Sequence, residues 1–122
     1  MTGKEIALKY LKHLENGEVD KVIDLFSSDG IVESPLYGVM NAGEFYRELN
    51  NDTANSELEL KGIFEQNDSR DLALYFTYTW TLQNGQMTKF DVVDIITLDE
   101  NYKIERLKII YDTVVTRKLI GE

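Results

Sequence analysis

The tightest constraint on the fold is a period-two pattern running through two neighbouring stretches of the chain. Leu74, Phe76, Tyr78, Trp80 and Leu82 fall at every second position with Thr77, Thr79 and Thr81 between them. Phe90, Val92, Asp94, Ile96 and Leu98 repeat the pattern beyond Asn84-Gly85. Successive strand side chains point to opposite faces, so the two stretches predict long antiparallel strands, over 72–82 and 87–98, that share one apolar face. Asn84-Gly85 reads as the tight turn between them, with both central residues at positive φ. Asp94 is the exception within its stripe. It points wherever its four apolar neighbours point, and an ionised carboxylate in apolar surroundings either finds donors or stays protonated.

Before residue 57 the period is helical. Thr2-Gly3-Lys4-Glu5 is a capping box, Ile6, Ala7, Tyr10, Leu11 and Leu14 form one face, and Asn16-Gly17 ends the first helix. Val19, Val22, Ile23 and Phe26 predict a second helix, broken by Ser27-Ser28-Asp29-Gly30. Residues 31–34 read as a short strand that Pro35 closes. Asn41, with Glu44 three residues on, caps a third helix that buries Phe45, Tyr46 and Leu49. Then Leu58, Leu60, Gly62 and Phe64 alternate with Glu57, Glu59, Lys61 and Glu65 as an amphipathic strand. After Asp99-Glu100-Asn101 a last strand runs from Lys103 to about Thr113. The expectation is an α+β fold: three N-terminal helices packed in a strongly curved antiparallel sheet that forms a cone-shaped pocket, with residues 1–122 as one domain.

The 22 Asp and Glu against 13 Lys and Arg leave a formal net charge of −9. That balance works against nucleic acid and anionic membrane as partners, because both are gripped by clustered Lys and Arg. Without cysteine there is neither disulfide nor thiolate, and a metal would have only His13 and carboxylates to draw on. Neither a metal site nor a cofactor is expected. His13, on a charged part of the first helix, receives no catalytic role. Lys4, Glu5 and Lys9 interrupt the apolar residues at the N-terminus, so no secretory signal is read there and a cytoplasmic location is expected.

The order of these elements, with Tyr10 to Phe26, Val32-Glu33-Ser34-Pro35 and Gly38, Phe45-Tyr46, and Val93-Asp94, resembles the nuclear transport factor 2-like superfamily. That superfamily includes SnoaL-like polyketide cyclases and ketosteroid isomerases, and the resemblance spans nearly the whole chain. It implies that Tyr10 matches the catalytic tyrosine of the isomerases and Asp94 their neutral, hydrogen-bond-donating acid, the role for which those enzymes are the standard example. The isomerases carry their general base as an aspartate directly before a proline, and Ser34 stands at that position here. An unactivated hydroxyl has almost no alkoxide at neutral pH. Glu33, as the adjacent strand residue, should face the other side. Steroid isomerisation itself is therefore not expected. The Asp-Arg-Asp arrangement of limonene epoxide hydrolases, which share the fold, is also unmatched: Ile109 stands three residues before Asp112, where that family carries an acid.

Two readings of function remain. In the first, the chain is a pocket protein for a small, mostly apolar molecule carrying a carbonyl or hydroxyl, with isomerase, cyclase or dehydratase-type chemistry open to it. Tyr10 and Asp94 then hold the polar atom, and Ser34, Tyr78, Trp80, Phe90, Val92 and Ile96 line the pocket. In the second, the chain is a noncatalytic dimeric interaction module, and Asp94 is a structural acid bonded to Tyr10 or to a backbone amide. In both, a sheet face left uncovered by the helices, carrying Thr79, Val93, Ile95 and Ile110, favours a homodimer.

Overall fold

In the computed structural model, which describes residues 2–119, Thr2 opens the first helix. Its Oγ1 accepts the Glu5 amide at 3.2 Å, and α1 (Gly3–Glu15) buries Ile6, Ala7, Tyr10 and Leu11. Gly17, at φ 69°, turns the chain out of α1 in the left-handed conformation that glycine tolerates best. The second helix is shorter than its apolar spacing implies. α2 covers only Val19–Ile23, and β1 (Phe26–Ser34) takes up both Phe26 and the Ser27-Ser28-Asp29-Gly30 stretch expected to be a break. Phe26 would be buried in either conformation, and its pairing with Ile104 decides for the strand. Gly30 permits this close approach, since a Cβ there would sit 3.0 Å from the Ile104 carbonyl oxygen.

β1 ends before Pro35, as expected. A strand absent from the sequence reading, β2 (Gly38–Asn41), then folds back on it. Asn41 caps α3 (Ala42–Asp52) by accepting the Gly43 amide at 2.9 Å. β3 (Thr53–Glu65), β4 (Asp71–Leu82), β5 (Met87–Leu98) and β6 (Ile104–Ile110) complete one six-stranded sheet in the order β2-β1-β6-β5-β4-β3. One pair departs from the antiparallel expectation, because β1 runs parallel to β6. The long stretch of chain between them supplies the crossover that a parallel pair requires.

Three local readings are corrected by the ladder. Lys61 is an extra residue between the pairs Leu60↔Phe76 and Gly62↔Tyr75, so beyond this bulge Ile63 rather than Phe64 turns to the core, and Phe64 is left 62% exposed. The β4–β5 connection is a three-residue loop: the Leu82 amide donates to the Gln86 carbonyl, the Gly85 amide to the Leu82 carbonyl, and Gly85 takes φ 87° while Asn84 stays out of the positive-φ region. β6 stops at Ile110, short of Thr113. Asp112 Oδ1 accepts the Val114 amide at 3.0 Å, a local polar bond that competes with strand extension, and α4 (Val114–Leu119) follows.

α1 packs against β3 and β4, while α3 packs against β1 and β2. The helices thus cover the wings of the sheet, and its centre faces the space between them. Leu74, Phe76, Val92, Ile96, Ile104 and Leu107 of the central strands are all buried, and Phe76 and Val92 among them face that space. Each contributes roughly 1.5–3 kcal/mol by leaving water. No helix among the described residues is long and apolar enough to cross a membrane.

Gly85→Ala should lower stability by about 1 kcal/mol, because nothing crowds the new Cβ and only the left-handed backbone opposes it. The check is the urea midpoint, and an unchanged value would contradict the requirement for a left-handed residue in this loop.

Candidate active site

Asp94 lies in β5 between Leu74 of β4 and Ile109 of β6. It is 1% exposed, and among the described residues neither carboxyl oxygen has a hydrogen-bond partner. The bond expected from Asp94 to Tyr10 or a backbone amide is not formed. Burial alone pushes the carboxyl well above the ordinary carboxylate range, because the ion would lose its water and gain no donor in exchange. In its neutral form the group presents one O–H donor.

Tyr10 bonds instead to Tyr46, with 2.7 Å between the phenolic oxygens and the rings edge to face at 6.1 Å. Burial foremost, with Asp94 nearby, raises both phenols well above their usual range, so both keep their protons. Two O–H groups share one mutual hydrogen bond. The pair therefore retains one proton for a third partner. Tyr46 enters the sequence reading as a buried residue of the third helix and within the Phe45-Tyr46 stretch of the resemblance; its bond to Tyr10 joins residues far apart in the chain, and no local pattern encodes that.

Tyr10, Ser34, Tyr78, Trp80, Phe90, Val92 and Asp94 line one cavity. Its interior is narrow, about 40 Å³, and widens to about 460 Å³ when the mouth open to solvent is counted. The interior is room for water-sized groups. Ile96 is not part of the lining: fully buried, it pairs with Leu72 and Leu107 in the solid core deeper along the strand. Two lining tyrosines escaped the sequence reading. Tyr111 stacks on Phe90 with ring centroids 4.4 Å apart, and the alternation Leu107, Ile109, Tyr111 is a signal that could have found it. Tyr37 reaches the cavity from the β1–β2 turn, where no periodicity operates.

The polar groups of Ser34, Trp80 and Tyr78 are engaged by the protein. Ser34 Oγ accepts the amides of Leu36 at 3.1 Å and Tyr37 at 3.2 Å, which ties down the turn after Pro35. Trp80 Nε1 donates to Thr53 Oγ1 at 2.7 Å, and the Tyr78 hydroxyl bonds Ser56 Oγ at 2.8 Å. Glu33 turns to the other face and pairs with Arg106, so it offers no base to the cavity. His13 stands outside the lining, bonded through Nδ1 to Glu18 at 3.0 Å. His13 and Lys21 together hold the Glu18 carboxyl down to about 2. Among the described residues no three His, Asp or Glu side chains converge as metal ligands.

No protein-family model and no curated protein matches the chain. Solved structures do. An NTF2-like protein of unknown function from Burkholderia pseudomallei superposes with TM-score 0.84 at 16% identity, over 100% of both chains. TerC, co-crystallised with polyporic acid, gives 0.82 at 20% identity over 98% of each chain. SalBIII, an epoxide hydrolase/cyclase-like enzyme with a role in pyran ring formation in the polyether salinomycin, gives 0.77 at 21% over 90% of each. The chain has the nuclear transport factor 2-like fold.

Asp94 stays protonated in the folded chain to higher pH than in the unfolded one. Across that window the folded state binds more protons, so stability falls as pH rises from the ordinary Asp range toward the folded value, then levels off. Asp94→Asn has no such titration. Its stability relative to wild type should climb across the same window by about 1.4 kcal/mol for each pH unit in which Asp94 is protonated in the folded chain and ionised in the unfolded one. Urea denaturation at stepped pH measures this, and a difference that stays flat would mean that Asp94 titrates as an ordinary acid.

Proposed function

We propose that this chain binds a small, largely apolar molecule by a carbonyl or hydroxyl oxygen set between Asp94 and the Tyr10–Tyr46 pair. The observation that carries the reading is the unpartnered carboxyl at the cavity wall. A buried polar group without a partner is costly, and a ligand acceptor would relieve that cost. Neutral Asp94 brings one O–H donor, and the tyrosine pair keeps a second. Two donors in a dry site hold a carbonyl oxygen, and they hold the more negative oxygen of an enolate more tightly, which is the condition for catalysis. Chemistry of isomerase, cyclase or dehydratase type would begin from this polarisation. Ser34 is not the proton acceptor for it, since its hydroxyl oxygen already takes two backbone amides. The polyporic acid co-crystallised with TerC and the pyran ring formation associated with SalBIII support a small organic ligand.

The outer face of the sheet supports a homodimer as part of the same proposal. Val93 and Ile110 pair across β5 and β6, and Ile95 and Ile110 are 36% and 48% exposed. This patch lies on the face opposite Asp94, so self-association through it leaves the cavity free. It also suits the second reading, a dimeric interaction module without chemistry, which would bind no ketone.

A panel of aryl and cyclic ketones should raise the melting temperature of the wild type. Removing a donor by Tyr10→Phe or Asp94→Leu should weaken binding roughly tenfold or more. Equal binding by Asp94→Leu and wild type would sink the assignment of Asp94. For the dimer, light scattering should give twice the chain mass for the wild type and a shift to single chains for Ile110→Glu; a wild type that is already a single chain at high concentration refutes the interface.

A further inference from the structure

Outside the cavity, on the far side of Tyr37 and Trp80, lies a second hollow lined by those two residues with Asp52, Leu82, Gln83 and Asn84. Tyr37 and Trp80 line both spaces, so the two adjoin at these side chains. The hollow is open to solvent and holds about 330 Å³, against about 40 Å³ for the narrow interior of the cavity. A ligand anchored by one oxygen at Asp94 has little room beyond its anchored end inside, and its remaining bulk would extend past Tyr37 into this outer space.

The charge of that space is one-sided. Asp52 is its only ionisable carboxyl, and none of its lining residues is Lys, Arg or His. Tyr37 donates its hydroxyl to Asp52 Oδ2 at 2.5 Å, the only hydrogen bond to the Asp52 side chain among the described residues, so Oδ1 stays available as an acceptor. Burial first, and then Asp52 and the neighbouring Glu48, push the Tyr37 hydroxyl far above its usual range, so it remains a neutral donor and brings no negative charge of its own. A carboxylate beside aromatic rings, with a second acid nearby and a chain charge of −9, suits a cation.

We infer that this hollow is an outer subsite for a protonated amine, with Asp52 as its counter-charge and Tyr37 and Trp80 as the aromatic wall between the amine and the part of the ligand held at Asp94. The inference rests on the pocket reading given above and specifies its ligand: an apolar body with an oxygen at one end and an ammonium at the other. A neutral sugar or alcohol could also use Asp52, but it would leave the field of Asp52 and Glu48 uncompensated.

The test uses aryl methyl ketones carrying a primary amine on alkyl tethers of increasing length, each set against its neutral alkyl isostere, with affinities measured by calorimetry at neutral pH. At the best tether the amine should bind wild type about tenfold tighter than the isostere, and the preference should shrink with added salt. Asp52→Asn, whose amide oxygen can still accept the Tyr37 hydroxyl, should abolish the preference of amine over isostere. Tyr37→Phe, which keeps the ring and the carboxylate, should retain it and so separates charge recognition from any loosening of the turn. Equal affinities at every tether, or a preference that survives Asp52→Asn, overturn the subsite alone. If neutral ketones bind and respond to Asp94→Leu, the inner pocket stands in either case. Binding of neither probe series overturns the subsite and the pocket reading together.

Discussion

Pairing Leu74 with Asp94, Phe76 with Val92 and Tyr78 with Phe90 places a carboxyl and five apolar side chains on one face of the sheet. The side-chain period of a strand is two, so a slip of β5 by one residue would turn Phe90, Val92 and Asp94 out to solvent and bring Lys89, Asp91 and Val93 inward. The cost of that exchange holds the hairpin in register, and the rest of the site is assembled on it. Thr77 Oγ1 donates to Asp91 at 2.9 Å on the opposite face, so the outward side of the same register is also satisfied.

Burying Asp94 without a partner gives up stability that an apolar residue at the same place would keep. Burial favours the neutral carboxyl over the ion, and the cavity leaves space beside it. Tyr10 and Tyr46 belong to the same economy of protons: burial denies both phenols ionisation, and their mutual bond uses only one of two available hydrogens.

Access is governed by the turn between β1 and β2. Ser34 Oγ holds its backbone amides, Tyr37 bonds across to Asp52 at the end of α3, and Arg117 of α4 donates to the Pro35 carbonyl oxygen. α3 and α4 are thereby both tied to residues 34–37. Ser34, the position where the resemblance to ketosteroid isomerases would put a base, is here a fastening of the pocket's rim.

Local pattern was enough to determine the α+β class, the caps at Thr2 and Asn41, the long β4 and β5 strands, and the placement of Asp94 among buried apolar side chains. Each follows from interactions within a few residues or from a strict period of two. Tertiary structure decided whatever a pattern leaves degenerate. Phe26 suits a helix face and a strand equally until Ile104 pairs with it, and Phe64 lost its place in the core to a bulge at Lys61 that alternation cannot anticipate. Ile96, in the same stripe as Val92 and Asp94, fell into the solid core because the cavity ends before it reaches that depth. Tyr46, Tyr37 and Asp52 reach the site only through the packing of α3 and the fold-back of the β1–β2 turn. The sequence could show that a carboxyl would be buried; which groups surround it depends on contacts between residues far apart in the chain, and those exist only once the sheet has curved around the helices.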